Sequence, residues 1–149
     1  MPRTADGAVD EVDRRLIDLL RQDARMSVND PAAQANVSRA NAYQRLARLR
    51  ESGAIRRFTV DVDHRQLGDS ITALVFVDID QHAWREMGAR LVELPGVDYV
   101  GFTTGTMDIV LIVRAPDMQH LRDVVLERLQ SFPEVRSTQT SFVLEELRR

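Results

Sequence analysis

Between Val37 and Arg57 the chain reads VSRANAYQRLARLRESGAIRR, and the side chains gathered there are those that bind nucleic acid. Guanidinium groups attract phosphate, and Arg, Asn and Gln pair bidentately with the edges of guanine and adenine. Six arginines stand against one acid, Glu51, for a net of +5 over residues 37–57. Spacing predicts how these groups are displayed. Ser38 is a good N-cap, Ala42, Leu46 and Leu49 recur on one helical face, and Gly53 sits where a left-handed C-terminal cap is needed. Ala40, Asn41, Tyr43, Gln44, Ala47 and Arg48 then face away from the apolar side, with Arg39 and Arg45 at its margins. Arg39, Asn41, Tyr43 and Gln44, in the first turns after Ser38, are assigned to base edges. Arg45, Arg48, Arg50, Arg56 and Arg57 are assigned to phosphates, with pairing to nearby acids as the alternative for Arg50 or Arg45. An ordinary solvated helix would carry the same charges, so the assignment rests on the elements that position it.

Those elements are legible upstream. Asp10 is expected to cap a helix running to Gln22, with Val12, Leu16, Leu19 and Leu20 as its packing stripe and Asp13 in its positive first turn. A short second helix is expected between Asp30 and Asn36, with Asp30 as cap and Pro31 in the first helical position. Asn36-Val37 forms the turn into the Ser38 helix. Three helices with a tight turn between the last two are the layout of a helix-turn-helix unit, whose second member enters the major groove. After Gly53, Ala-Ile-Arg-Arg-Phe-Thr-Val alternates as a short strand would, which makes the unit winged. The boundaries expected are 1–60 for this unit, with residues 1–9 disordered, 61–68 for a linker, and 69–149 for a second domain.

Composition bounds the alternatives. The 149 residues hold no cysteine, which removes disulfides, thiolate zinc sites and cysteine nucleophiles, and no cofactor is expected. No run is long and apolar enough for a membrane helix and the polar start lacks a secretory apolar segment, so a cytoplasmic protein is expected. Net charge is −3, yet residues 1–60 carry eleven arginines against eight acids while residues 61–149 carry nine against fifteen. Such asymmetry suits a nucleic-acid-binding part joined to a part that binds something else.

The second half contains a duplication. A shift of 38 residues lays Ile71–Val75 on Ile109–Val113, Met87 on Val125, Leu91 on Leu129, Leu94-Pro95 on Phe132-Pro133 and Val97 on Val135. Each copy reads strand, helix, proline stop, strand. One helix carries Trp84, Met87, Leu91 and Leu94; the other carries Met118, Leu121, Val125 and Leu129, with Asp117 as N-cap. Two such units in tandem give βαββαβ, an α+β ferredoxin-like sandwich. Ala73–Val77 and Ile109–Val113 are apolar at nearly every position, as strands covered on both faces are. A second copy of the same sheet would cover the face without helices, which predicts a homodimer with two reading heads; the alternative cover is the first half of the chain.

With these residues in place, the chain resembles the Lrp/AsnC (feast/famine) transcription regulators over residues 9–147. Their pattern L-D-x-x-D-x-x-I-L-x-x-L is echoed in VDEVDRRLIDLLRQDARMS at 9–27. Their core S-x-x-x-V-x-x-R-I-x-x-L-x-x-x-G-x-I maps onto Ser38, Ala42, Arg45, Leu46, Leu49, Gly53 and Ile55, and a G-x-x-D turn onto Gly105 and Asp108. Three positions depart: Asp30-Pro31-Ala32 replaces Glu-Leu-Ala, Asn36 replaces a turn glycine, and Asn41 replaces a β-branched residue. The resemblance implies a sequence-specific regulator of promoter DNA, built from dimers that often form an octamer and answering to a small effector, commonly an amino acid. It places the effector near Thr103, Thr104, Gly105, Thr106 and Asp108, between neighbouring dimers. A glycine turn exposes backbone N–H groups for a carboxylate, and Asp108 would pair with an ammonium. The same residues also suit a plain hairpin turn.

Two rival readings differ in class. An enzyme would need a clustered acid–base pair, and His64, His82 and His120 are scattered without metal-ligand spacing. An amino-acid sensor with weak or no DNA binding stays open because Pro31 shortens the second helix.

Overall fold

The computed structural model describes residues 8–80 and 84–147, in two compact units divided after Asp61. The stretch before residue 8 and the position of His82 lie outside the described residues.

The first unit is three helices, α1 (Glu11–Gln22), α2 (Asn29–Gln34) and α3 (Arg39–Glu51). Asp10 caps α1 reciprocally: its Oδ1 accepts from the Asp13 N–H at 2.8 Å, and Asp13 Oδ2 accepts from the Asp10 N–H at 3.1 Å. This satisfies two backbone donors that a helix start leaves without partners. Leu16, Ala32, Ala35 and Ala42 form the core, with Val12, Val28 and Val37 packed around it. The expected cap of α2 is corrected. The helix starts at Asn29 after Val28, no side chain caps it, and Pro31 is its third residue. Proline is tolerated there because the first helical N–H groups have no intrahelical acceptor. Asn36 takes the left-handed conformation, φ 56°, that turns the chain into α3. Gly53, φ 76°, ends α3 as expected.

The expected strand after Gly53 is also corrected. Residues 54–60 form no strand, and Phe58 and Val60 are exposed. Alternation prepares a segment for a ladder, but three helices offer no strand to pair with.

The second unit is the expected sandwich: β1 (Ile71–Ile79), α4 (Trp84–Val92), β2 (Val97–Phe102), β3 (Ile109–Ala115), α5 (Met118–Arg122) continued by a π-helical segment Asp123–Leu129, and β4 (Val135–Phe142). The sheet order is β2-β3-β1-β4 with every neighbouring pair antiparallel. The duplicated strands β1 and β3 are central and pair with each other, Ala73 opposite Val113 and Val77 opposite Ile109. Ala73, Val75, Val77, Ile109, Leu111 and Val113 are wholly buried beneath Met87, Leu91, Leu121, Val125 and Leu129. Their alternates Leu74, Phe76, Val110 and Ile112 are only half-buried.

Two stripe residues sit differently from expectation. Trp84 is half-exposed and meets Phe102 edge-on at 5.5 Å, and Met118 is 56% exposed. Beyond Arg122 the π-helical winding alters the stripe, because i→i+5 spacing turns Val124 inward together with Leu129. This register is testable by urea denaturation: Val124→Ala should cost about 1–3 kcal/mol, whereas Leu126→Ala on the exposed side should stay within about 0.5 kcal/mol.

Candidate nucleic-acid interface and effector loop

The start of α3 is built as its sequence requires. Ser38 Oγ accepts from the Asn41 N–H at 3.2 Å, and Ala42, Leu46 and Leu49 bury one face. Arg39, Tyr43, Gln44 and Arg50 are exposed on α3, and Arg56 and Arg57 are exposed beyond it. The Arg39 guanidinium lies over the Tyr43 ring at 5.5 Å and that of Arg50 over the Phe58 ring at 6.0 Å, contacts that leave the cationic charge intact.

Arg45 and Arg48 are placed differently from the phosphate anchors expected of them. Arg45 donates through Nη1 to Asp10 Oδ2 at 2.6 Å and to Asp13 Oδ1 at 2.8 Å, and through Nε to Asn41 Oδ1 at 2.8 Å. Arg48 Nη2 donates to Asp13 Oδ2 at 2.5 Å. Asp13 is wholly buried, so its carboxylate exchanges hydration for the Asp10 N–H and two guanidinium groups. The Arg45 hydrogen bond, followed by that from the Asp13 N–H, holds the Asp10 carboxyl below the ordinary aspartate value; hydrogen bonds to Asp10 and Asp13 raise Arg45. Asn41 is half-buried with its carbonyl oxygen engaged, which leaves Arg39, Tyr43 and Gln44 as the open first-turn side chains. A shallow depression of about 270 Å³ is lined by Asn41, Gln44, Arg45 and Arg48. Asp10 and Asp13 were missed as members of this surface. Their signal was available: Asp13 falls three residues before Leu16, on the apolar stripe of α1, where an acid must have a partner.

At the other unit, residues 103–108 connect β2 to β3. Thr103 N–H donates to the Asp108 carbonyl at 2.8 Å and Thr103 Oγ1 to the Met107 carbonyl at 2.5 Å. Asp108 Oδ2 accepts from the Ile79 N–H at 2.9 Å and the Asp108 N–H donates to the Val77 carbonyl at 3.0 Å. One carboxylate oxygen of Asp108 is therefore tied to the end of β1. Thr103, Thr104, Gly105 and Thr106 are exposed, and Gly105 has φ 135°.

Sequence reasoning also missed Arg114, whose side chain is 4% exposed. It donates to Thr72 Oγ1 at 2.7 Å, to Glu146 at 2.6 and 3.1 Å, and to Asp98 at 3.3 and 3.4 Å. Glu146 above all raises it further. Among the described residues no group of three or more His, Cys, Asp or Glu is placed to hold a metal ion. His64 pairs with Asp69 in the segment before β1, and His120 on α5 pairs with Asp117 at that helix's N-cap. No described helix is long and apolar enough to cross a membrane.

Comparison with known proteins agrees with both units. The family model of the AsnC-type helix-turn-helix domain matches residues 9–50, and that of the Lrp/AsnC ligand binding domain matches residues 72–149. The chain is 34% identical over 143 residues to the HTH-type transcriptional regulator AldR of Mycolicibacterium smegmatis, covering 94% of this chain and 84% of that one. It is 33% identical over 135 residues to an uncharacterized HTH-type transcriptional regulator of Pyrococcus abyssi, covering 91% and 85%. Among solved structures, Mycobacterium tuberculosis AldR superposes with a TM-score of 0.81 at 30% identity, covering 95% of each chain. A Neisseria meningitidis transcriptional regulator in complex with L-Met superposes with a TM-score of 0.84 at 24% identity, covering 95% and 94%, a likeness of fold.

The Asp10 contacts make a pH prediction. A carboxyl whose folded-state pKa is lowered adds stability above its unfolded value, near the ordinary 3.8, and loses it as pH falls through the folded value. Asp10→Asn should therefore lower the melting temperature at neutral pH, and the difference from the parent should shrink as pH falls below 3.8 and disappear below the lowered folded-state value. Calorimetric melts across that range check it.

Proposed function

The chain belongs to the Lrp/AsnC family of DNA-binding transcriptional regulators, which are not enzymes, and on that premise we propose how its parts divide the work. The observation that carries the reading is the capped α3, with Ala42, Leu46 and Leu49 buried and Arg39, Tyr43 and Gln44 exposed on the opposite side. Laid in a major groove, Arg39 and Gln44 read guanine and adenine edges and Tyr43 contacts the adjoining bases. Arg50, Arg56 and Arg57 grip phosphates. Ser38 fixes the end of the helix from which these groups project, and Asn41 and Arg45 brace one another beside it.

The protein works as a homodimer through the outer face of the sheet. The half-buried row Leu74, Phe76, Val110 and Ile112 supports this, since four large apolar side chains on two central strands are only half-covered in one chain. Two heads then match a palindromic site, and dimers assemble further, to the octamer that the family resemblance implied. A small effector, an amino acid, binds at Thr103-Thr104-Gly105-Thr106 and Asp108 between dimers. The exposed glycine turn beside an anchored carboxylate supports it, and so does the match of residues 72–149 to a ligand binding domain.

Three measurements test this reading. In a salt-titrated gel shift with the promoter upstream of its own gene, the parent should bind at low salt, and Gln44→Ala should change which site is preferred by about 1–3 kcal/mol. Absence of any shift at low salt would favour the sensor alternative. Phe76→Asp should convert the dimer to a monomer in sedimentation. Of the twenty amino acids, those that bind should raise the melting temperature, because a ligand selective for the folded state stabilises it. Silence across the panel would remove the amino-acid effector.

A further inference from the structure

The reading helix holds two electrostatic classes of arginine. Arg39 and Arg50 lie against aromatic rings and keep their charge, whereas Arg45 and Arg48 are bonded to acids of α1. The four groups Asp10, Asp13, Arg45 and Arg48 sum to zero. Asp13 is the centre of this cluster: its side chain is wholly buried, and each of its two oxygens takes one guanidinium. The Arg48 side chain is nevertheless 46% exposed and shares its depression with Gln44, so it stands where approaching DNA would meet it.

We propose that Asp13 is a specificity-determining positioning residue: by holding Arg45 and Arg48 in a neutral cluster, it suppresses binding to DNA of any sequence and leaves discrimination to Arg39, Tyr43 and Gln44. Sequence-blind affinity depends on how many phosphates the protein neutralises and how many counterions that releases. A guanidinium paired at 2.5–2.8 Å to a buried carboxylate presents a dipole rather than a free cation. Its field falls within the Debye length of about 8 Å at physiological salt. Stability alone does not account for the arrangement. A buried ion cluster is weak evidence for stability, since apolar replacements of similar volume often serve as well. Asp13 also supplies one half of the cap at the start of α1, accepting from the Asp10 N–H at 3.1 Å, a role for which an uncharged amide oxygen would serve. What a buried acid adds, and a neutral amide of the same shape would not, is cancellation of positive charge on the DNA-facing helix.

The test uses the full chain as parent, Asp13→Asn, Arg48→Gln and the double variant. Each is titrated by fluorescence anisotropy against a randomised duplex pool and against a duplex that the parent selects from that pool, over a range of salt. Asp13→Asn keeps the side-chain shape and releases Arg48. It should tighten pool binding several-fold, lower the ratio of selected to pool affinity, and steepen the slope of log K against log salt by about 0.9 per head. Arg48→Gln alone should leave the slope nearly unchanged, and in the Asp13→Asn background it should cancel the steepening. A merely structural Asp13 would give the opposite: weaker binding to both duplexes with a flat or unchanged slope, which overturns the proposal. So would an Arg48→Gln variant that by itself flattens the slope by about 0.9 per head, a result readable even if Asp13→Asn fails to fold.

Discussion

The first unit turns on one carboxylate that has lost its water. Asp13 lies in the contact between α1 and α3, and a charge there persists only with partners of opposite sign close by. Arg45 and Arg48 supply them, spaced three residues apart on α3 so that both reach one acid. The small residues at the core, Ala32, Ala35 and Ala42, bring the helices near enough for those bonds. The same bonds decide what α3 offers to DNA. A helix that carries four arginines by count offers fewer free cations once α1 is folded against it.

The second unit answers a different constraint. Two central strands must pair with each other, and helices must cover one face of the sheet they make. The duplication meets this with the same few positions twice: Met87 and Val125, Leu91 and Leu129, all buried above β1 and β3. Departures from the repeat lie in its second copy. The π-helical turns after Arg122 bring Val124 inward, and Arg114 on β3 gathers Thr72, Asp98 and Glu146, joining the chain's last described residues to the sheet. These are contacts that hold a unit together without making it responsive.

Responsiveness would come from linking what each unit leaves unsatisfied. The sheet's outer row is half-covered in one chain and the loop of residues 103–108 is exposed, so the proposed self-association and the proposed effector site would draw on the same domain. An effector that prefers one assembly shifts the population of assemblies, and with it the spacing of the reading heads. Much of what a single head does with DNA is already set by the neutral cluster at Asp13.

Local chemistry made much of this legible before any coordinates. The Ser38 and Asp10 caps, the turn at Asn36, the left-handed Gly53 and the βαββαβ order all follow from spacing, because each depends on neighbours within a few residues or on a period. The start of α2, the missing strand after Gly53 and the exposure of Met118 did not, because caps compete and ladders need partners that propensity cannot see. Nor did the pairing of Arg48, the acids that Arg45 would choose, or the burial of Arg114. Charge can be counted along a chain, but whether a charge is free depends on what lies within a few ångströms of it. For Arg45 and Arg48 that neighbour is thirty-odd residues away, and only folding brings it there.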